Sequence, residues 1–379
     1  MYKTIRDTIL TVEAVDLFTF SHSHGGISSI RNPKRIRLTH LRETTHDRSG
    51  MQEIYCLVHY KMIRVQSFVK ALSLDTALPY IEDCSVTPSM KEFKISLFCV
   101  HAAMLCLQHN FHNVALRLIY TRTNQTEVYS FSRTDLISYF NDLCYTFNQW
   151  VLHEKNHVEN RDNLLASLDF PYETFRLHQE KLVSEVSSAL FNRRHLLIEA
   201  ATGIGKTLGV VFPAVRALES EQLDKLLLLT TRKTGRQVYL DGLKQILTSA
   251  PGQLIRVLEL SSRAELCNSK NTSCNDRECE GCTHFYERIP AARYDATRLG
   301  WLDQATLQSL ANKHHICSYF LAIEMAKWSD VIIADVTHYF DQHGFLYELA
   351  TTSNLKLALV IDECHNLIDR VRGMYSVTV

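Results

Sequence analysis

The chain has 379 residues, enough for two or three domains, and 46% of them are hydrophobic, enough to fill separate cores. Lys and Arg total 41 and Asp and Glu total 41, so any nucleic-acid surface has to be a local basic patch rather than the whole molecule. The longest apolar run, residues 95–107, is broken by His101 and is too short to span a bilayer; the amino terminus lacks a signal-peptide core, so the expectation is a cytoplasmic protein with no membrane partner.

Residues 1–152 mix strands and helices. Residues 54–74 and 114–131 are rich in β-branched and aromatic residues and are expected to form strands and hairpins. Residues 97–109 are expected to form a buried helix and 140–150 a further helix. The polar run from His153 to Asn163 is the best linker candidate, which sets a linker at 153–165 and a second domain at 166–379.

In that second domain the pattern changes to short, unalternating apolar bursts separated by helices. Residues 195–201, 225–231, 331–335 and 357–362 have this form, the pattern of strands buried on both faces of a parallel sheet. The expected class is α/β.

Two motifs in this half carry chemistry. Ala200-Ala-Thr-Gly-Ile-Gly-Lys-Thr207 follows the first apolar burst and opens a helix. Gly203 and Gly205 let backbone N–H groups curl around phosphates, Lys206 reaches the β- and γ-phosphates, and Thr207 offers its hydroxyl to Mg²⁺. The loop, Thr202, Gly203, Ile204, Gly205, Lys206 and Thr207, is thus an ATP site. The second motif, Leu359-Val-Ile-Asp-Glu-Cys-His365, is an apolar strand delivering two carboxylates at its C-terminal end, the edge at which open α/β sheets bind ligands. Asp362 is expected to hold Mg²⁺, Glu363 to orient and deprotonate the attacking water, and His365 to sense the γ-phosphate. Alone, Asp-Glu after a strand is as often a helix cap; behind a phosphate loop it is an acidic box.

Of eleven cysteines, Cys267, Cys274, Cys279, Cys282 and Cys317 fall in one polar stretch, which suggests metal rather than disulfides. On spacing, Cys279-x-x-Cys282 is the best metal knuckle, and four cysteines without histidine also suit structural zinc.

Together these residues resemble the XPD/DinG family of iron–sulfur superfamily 2 DNA helicases along most of the chain. The form [A/G]-x-T-G-x-G-K-T is typical of superfamily 2. Phe170-Pro-Tyr-Glu-Thr-Phe-Arg-Leu-His-Gln179 resembles the family's stretch ahead of the phosphate loop, which implies that Arg176 and Gln179 lie near the adenine. Thr230-Thr-Arg-Lys-Thr-Gly235 falls where the family has a DNA-contacting segment. Asp335-Val-Thr-His-Tyr-Phe-Asp341 resembles its Asp-x-Asn-Tyr-x-Phe, with His338 in place of Asn. Leu260 to Cys267 and His314 to Cys317 resemble the approaches to the first and last cluster ligands. The resemblance therefore implies a [4Fe–4S] cluster on Cys267, Cys274, Cys279 and Cys317, within an insertion at 261–317, with Cys282 spare.

Some bacterial members carry an amino-terminal PD-(D/E)XK nuclease-like domain, and residues 1–152 resemble it weakly. Lys70 stands where the metal-binding Asp belongs, Glu82 and Asp83 are kept, Ser85 replaces the lysine, and His101 is kept without the family's Gln. Such a nuclease needs two carboxylates and a lysine, so the expectation is a degenerate domain; Glu92-Phe-Lys94 is the alternative Glu-x-Lys.

The resulting expectation is a RecA-like P-loop parallel-sheet domain with an Fe–S insertion, preceded by an α+β restriction-endonuclease-like domain. The activity it implies is that of an ATP-dependent DNA helicase on single-stranded DNA, with ATP, Mg²⁺ and the cluster as cofactors and 5′-to-3′ polarity. The chain is expected to be truncated or split after the acidic box, its second RecA-like half belonging to a longer parent or supplied in trans by a partner chain. The rival readings are a non-motor nucleic-acid-binding ATP switch with a structural zinc site, and a zinc-ribbon ATPase acting on protein or RNA.

Overall fold

The computed structural model describes residues 10–13, 34–36, 52–73, 80–83, 91–120, 125–201, 203–219, 223–248, 254–267, 279, 281 and 285–376. They divide into two compact units that meet in sequence between Glu154 and Lys155. No described helix is long and apolar enough to cross a membrane.

The first unit is built on a seven-stranded mixed sheet. Strands β1 (Leu10–Glu13), β2 (Lys34–Ile36), β3 (Gln52–Tyr60), β4 (Ile63–Ser73), β5 (Tyr80–Asp83), β6 (Asn113–Tyr120) and β7 (Gln125–Ser132) run in the order β1-β4-β5-β6-β7-β2, with β3 paired to β4. The β3–β4 hairpin and the β4–β5 and β6–β7 pairs are antiparallel. The β5–β6 pair is parallel and is bridged by helix α1 (Lys91–His109). A parallel pair needs such a crossover, and α1 buries Ile95, Phe98 and Cys99 through Cys106 apart from His101. These elements fall where the β-branched runs and the apolar helix were expected.

The expected linker is helical. Helix α2 (Arg133–Ala166) runs without a break through 140–150 and through the polar run at 153–165. One side of it there is exposed, at Asn156, Glu159, Asn160 and Asn163, and the other is not. Arg161 and Glu154 are buried, and Arg161 pairs with Asp162 and with Asp330. Leu164 and Leu165 enter the core of the second unit. Composition resembled a linker because it supplied buried ionic partners.

The second unit is α/β, with a five-stranded all-parallel sheet in the order β10-β9-β11-β8-β12. Its strands are β8 (Lys225–Thr230), β9 (Val257–Leu260), β10 (Trp301–Leu302), β11 (Val331–Asp335) and β12 (Leu357–Ile361). Every residue of β8 is buried, as is β11 up to Ala334. Leu226, Leu228, Val331 and Ile333 pack with Val211 and Val215 of helix α4 (Lys206–Arg216) and with Leu240 and Leu243 of helix α5 (Lys233–Leu247).

The apolar burst at 195–201 does not join this sheet. It is irregular chain, with Leu196, Leu197 and Ile198 exposed, Leu197 to 84%. A strand exists only through a hydrogen-bonded neighbour, and no described strand pairs with this segment. On that side the sheet ends at β12, which pairs with β8 alone and leaves Leu359 exposed.

Candidate active site and cysteine cluster

The phosphate loop is held from behind by the stretch that precedes helix α3 (Gln179–Phe191). Gly203 and Gly205 have φ of 89° and 80°, and Gly205 caps α4 with no side-chain hydrogen bond. The first amides of α4 are therefore left to an anion rather than to a capping side chain. Gln179 is 2% exposed; its Nε2 donates to Gly205 O at 3.1 Å, and its Oε1 accepts from Arg176 N at 3.0 Å. Arg176 Nη1 donates to Gly203 O at 2.9 Å. A Cβ at Gly205 would lie 2.3 Å from Gln179 Nε2, so glycine is required by contact as well as by φ. The structure thus gives Arg176 and Gln179 a visible task, bracing the loop carbonyls. Lys206 Nζ donates to Ala200 O at 2.9 Å, Ile204 is half-buried, and Thr202 lies outside the described residues.

The acidic box begins as β12 ends, where Asp362 N donates to Leu229 O at 3.1 Å. Glu363 then takes a left-handed backbone, φ 52°, a conformation that costs a non-glycine residue about 1–2 kcal/mol and clusters at functional sites. His365 Nδ1 lies 3.4 Å from Glu363 Oε2, both side chains exposed. Helix α5 passes beside both motifs. Burial, with the charge of Asp362 adding to it, raises the pKa of Tyr239. Three residues on, a Cβ at Gly242 would stand 3.0 Å from Thr207 Cγ2. Thr207 therefore packs against α5, the helix on which Tyr239 feels the charge of Asp362.

A second polar group occupies the same end of the sheet. From the start of α5, Lys233 and Arg236 both pair with Glu265 of the one-turn helix α6 (Arg263–Leu266). The Lys233 contact, then those of Arg236 and the Ser262 amide, hold the Glu265 carboxyl down at about 2 against the effect of burial. His338, in a short helix that follows β11, is half-buried, which pushes its pKa down while Asp335 and Glu265 oppose the shift. Asp335 receives Arg370 at 3.0 Å. Sequence reasoning missed Glu265, Asp330 and Arg370. Only Glu265 had a local signal, the capping box Ser262-x-x-Glu265, which the structure forms in full.

Cys267 ends α6, and Cys317 opens helix α9, which spans Ser318–Ala326. Burial, backed by the nearby Cys267 thiol, raises the pKa of Cys317. Ser318 Oγ donates to Leu266 O, and Cys317 N donates to Gly281 O at 2.9 Å. Gly281 approaches so closely that a Cβ would stand 3.0 Å from Cys317 N. The chain two residues beyond Cys279 is therefore packed on the Cys267–Cys317 pair. Cys274 and Cys282 lie outside the described residues, and among the described residues no group of three His, Cys, Asp or Glu is arranged to hold a metal.

In the first unit, Lys70 lies on β4 and Glu82 and Asp83 on β5, while Glu92 and Lys94 open α1. His101 is half-buried in α1, and its loss of solvent pushes its pKa down to about 4. Ser85 lies outside the described residues.

The family model described as DEAD_2 matches residues 230–379. A probable ATP-dependent helicase of Methanocaldococcus jannaschii is 30% identical over 111 residues, covering 29% of this chain and 16% of the relative. The helicase subunit XPD of the general transcription and DNA repair factor IIH of Arabidopsis thaliana is 25% identical over 243 residues, covering 55% of this chain and 32% of the relative. A solved XPD helicase aligns with a TM-score of 0.38 and 20% identity, over 53% of this chain and 34% of its own. The chain thus spans less than a third of the length of these two curated relatives. The sequence likenesses support an XPD-like superfamily 2 helicase, and the region matched at 230–379 contains β11, β12, the acidic box and the cysteine segment.

Proposed function

We propose that residues 166–379 are the ATP-binding half of an ATP-dependent DNA helicase of XPD type, acting on single-stranded DNA with ATP and Mg²⁺. The observation that supports this reading most is the phosphate loop itself, with Gly203 and Gly205 left-handed, the first turn of α4 uncapped by any side chain, and the loop carbonyls braced by Arg176 and Gln179. Lys206 neutralises phosphate charge, Thr207 and Asp362 hold Mg²⁺, Glu363 orients the attacking water, and His365 stands beside Glu363 to register the γ-phosphate. Thr202, Gly203, Ile204 and Gly205 complete the loop, and Arg176 and Gln179 keep it open while bordering the adenine. A second RecA-like half closing over this face supplies the arginines that phosphoryl transfer needs. The protein is proposed to work in the cytoplasm.

Titration calorimetry of the chain with MgATP is the test. Binding is expected in the parent and no measurable heat in Lys206→Ala, whereas Glu363→Gln should bind normally. Equal affinity in parent and Lys206→Ala would remove the phosphate-loop assignment. Single-stranded DNA that failed to bind, with or without nucleotide, would leave an ATP site but no helicase.

The cysteines form the second part of the proposal: Cys267, Cys274, Cys279 and Cys317 hold a [4Fe–4S] cluster within 261–317. The contact of Cys267 with Cys317 supports it. Two adjoining thiols, one buried, ionise together only with a cation between them, so they are suited to a metal. A bound cluster would supply thiolate crosslinks between α6 and α9.

The third part concerns residues 1–152, read as a degenerate PD-(D/E)XK nuclease-like domain. The antiparallel run β3-β4-β5, followed by α1 and a parallel β6, supports that reading. With Lys70 and Ser85 at the positions that need acid and lysine, Mg²⁺- or Mn²⁺-dependent cleavage of plasmid should be absent. Cleavage lost in Glu92→Ala would instead relocate a live active site to α1.

A further inference from the structure

Lys233 is an exposed cation of the segment 230–235, with 79% of its side chain open to solvent, yet its ammonium rests on Glu265. Glu265 is itself mostly covered and has partners besides Lys233. Arg236 Nη2 donates to both of its oxygens, at 3.1 and 3.2 Å, and the Ser262 amide donates to Oε2 at 3.3 Å. Gln304 Nε2 adds a bond to the Glu265 carbonyl at 3.1 Å. Arg236 is buried, reaches Ser261 and Glu259 as well, and has no freedom to leave. The two cations on Glu265 are therefore unequal. Arg236 is fixed structure, while Lys233 is a flexible, solvated chain held by one exposed contact.

We propose that Glu265 is a specificity-determining residue that restrains Lys233: a phosphate of single-stranded nucleic acid captures Lys233 only by drawing it off Glu265, while Arg236 keeps the carboxylate satisfied. This rests on reading 230–235 as a nucleic-acid contact. A carboxylate beside the phosphate path sets a threshold that weak or isolated anions do not pass, and it anchors α6, which ends at Cys267. Strand binding and the cysteine pair are then tied to the same four-residue helix, through Glu265 at its third position and Cys267 just after its last.

The test is binding of a fluorescent single-stranded oligonucleotide, without nucleotide, across a series of salt concentrations. Glu265→Gln keeps one side-chain oxygen, enough to accept from the Ser262 amide and from Arg236, so its fold should be unchanged, checked by thermal unfolding and metal content. It is expected to bind about three- to fivefold tighter than the parent at low salt, the scale of one partly exposed ion pair. Lys233→Met should bind more weakly, with a log–log salt slope smaller by about 0.7, one phosphate contact on a single strand. In Lys233→Met/Glu265→Gln the gain should vanish. No gain in Glu265→Gln, or a gain that persists without Lys233, overturns the restraint while leaving the nucleic-acid reading intact. A Lys233→Met variant with parental affinity and slope overturns the contact reading itself, and the restraint with it. Should Glu265→Gln fail the folding check, Lys233→Arg serves in its place. Its broader fork pairs more firmly with Glu265 and should bind the strand less tightly than the parent; equal or tighter binding overturns the restraint.

Discussion

Cys317 is 8% exposed, and its thiol sits against that of Cys267 with Gly281 packed on its backbone. A pair of thiols in this setting is a poor free pair and a good half-site, because a cation removes both the proton and the repulsion. Anaerobically purified protein should be brown and contain iron and acid-labile sulfide. Both should be lost in Cys267→Ser and in Cys317→Ser and retained in Cys282→Ser. Stoichiometric zinc without sulfide would move the site to structural zinc, and neither metal in the parent would dismiss it. Glu363 carries a different signature at the same scale. Its left-handed backbone is a local cost, shared with six other non-glycine residues among those described, and here it falls on the residue assigned to the water.

Helix α2 and strand β11 are joined by one buried carboxylate. Asp330, just ahead of β11, accepts from Arg161 Nη1 at 2.7 Å and from the amide of Arg256 at 2.8 Å, and meets His157 Nε2 at 2.9 Å. Burial alone would raise its pKa; His157 and Arg161 outweigh burial and hold it well below the usual carboxylate range. A depressed carboxylate contributes stability that is fully present above the unfolded value, about 3.9, and is lost as pH falls through the folded value. Urea unfolding should therefore weaken in the parent from about pH 4 downward. Asp330→Asn should cost about 3 kcal/mol at pH 7, because Arg161 loses its buried counter-charge and is left with Asp162 alone, and should flatten that acid limb. A loss under 1 kcal/mol would mean that the network does not hold α2 to the sheet. The network also explains why the helix through 153–165 was illegible. Its polar residues have partners 169 and 173 positions away, and no local pattern announces them. The parallel strands were legible for the opposite reason. Residues 226–229 and 331–334 are apolar without alternation because both faces are covered, and that is a local property. Residues 195–201 have the same composition and form no strand, since pattern states what a segment could bury and not whether a neighbour is there. The phosphate loop and acidic box were legible as short motifs, whereas Glu265 and Arg370 act through long-range pairs.

The two units have separate cores, one around α1 and β6 and the other around β8 and β11, so unfolding need not be a single two-state event. Nucleotide that binds the phosphate loop stabilises only the unit that contains it. The three tryptophans separate the signals: Trp150 belongs to the first unit, and Trp301 and Trp328 belong to the second. In a Trp150→Phe background, fluorescence therefore reports the second unit alone. MgATP at a hundred times its dissociation constant should raise the stability of that unit by about 2.7 kcal/mol. For a unit of this size that corresponds to a shift of about 5–10 °C in its unfolding midpoint. Lys206→Ala should abolish the shift, because the lost charge neutralisation removes the ligand and not the fold. The transition followed through Trp150, in a Trp301→Phe/Trp328→Phe background, should not move. Equal shifts in both transitions would place the units in one cooperative block, and no shift in either would show that the loop behind Gln179 does not hold nucleotide.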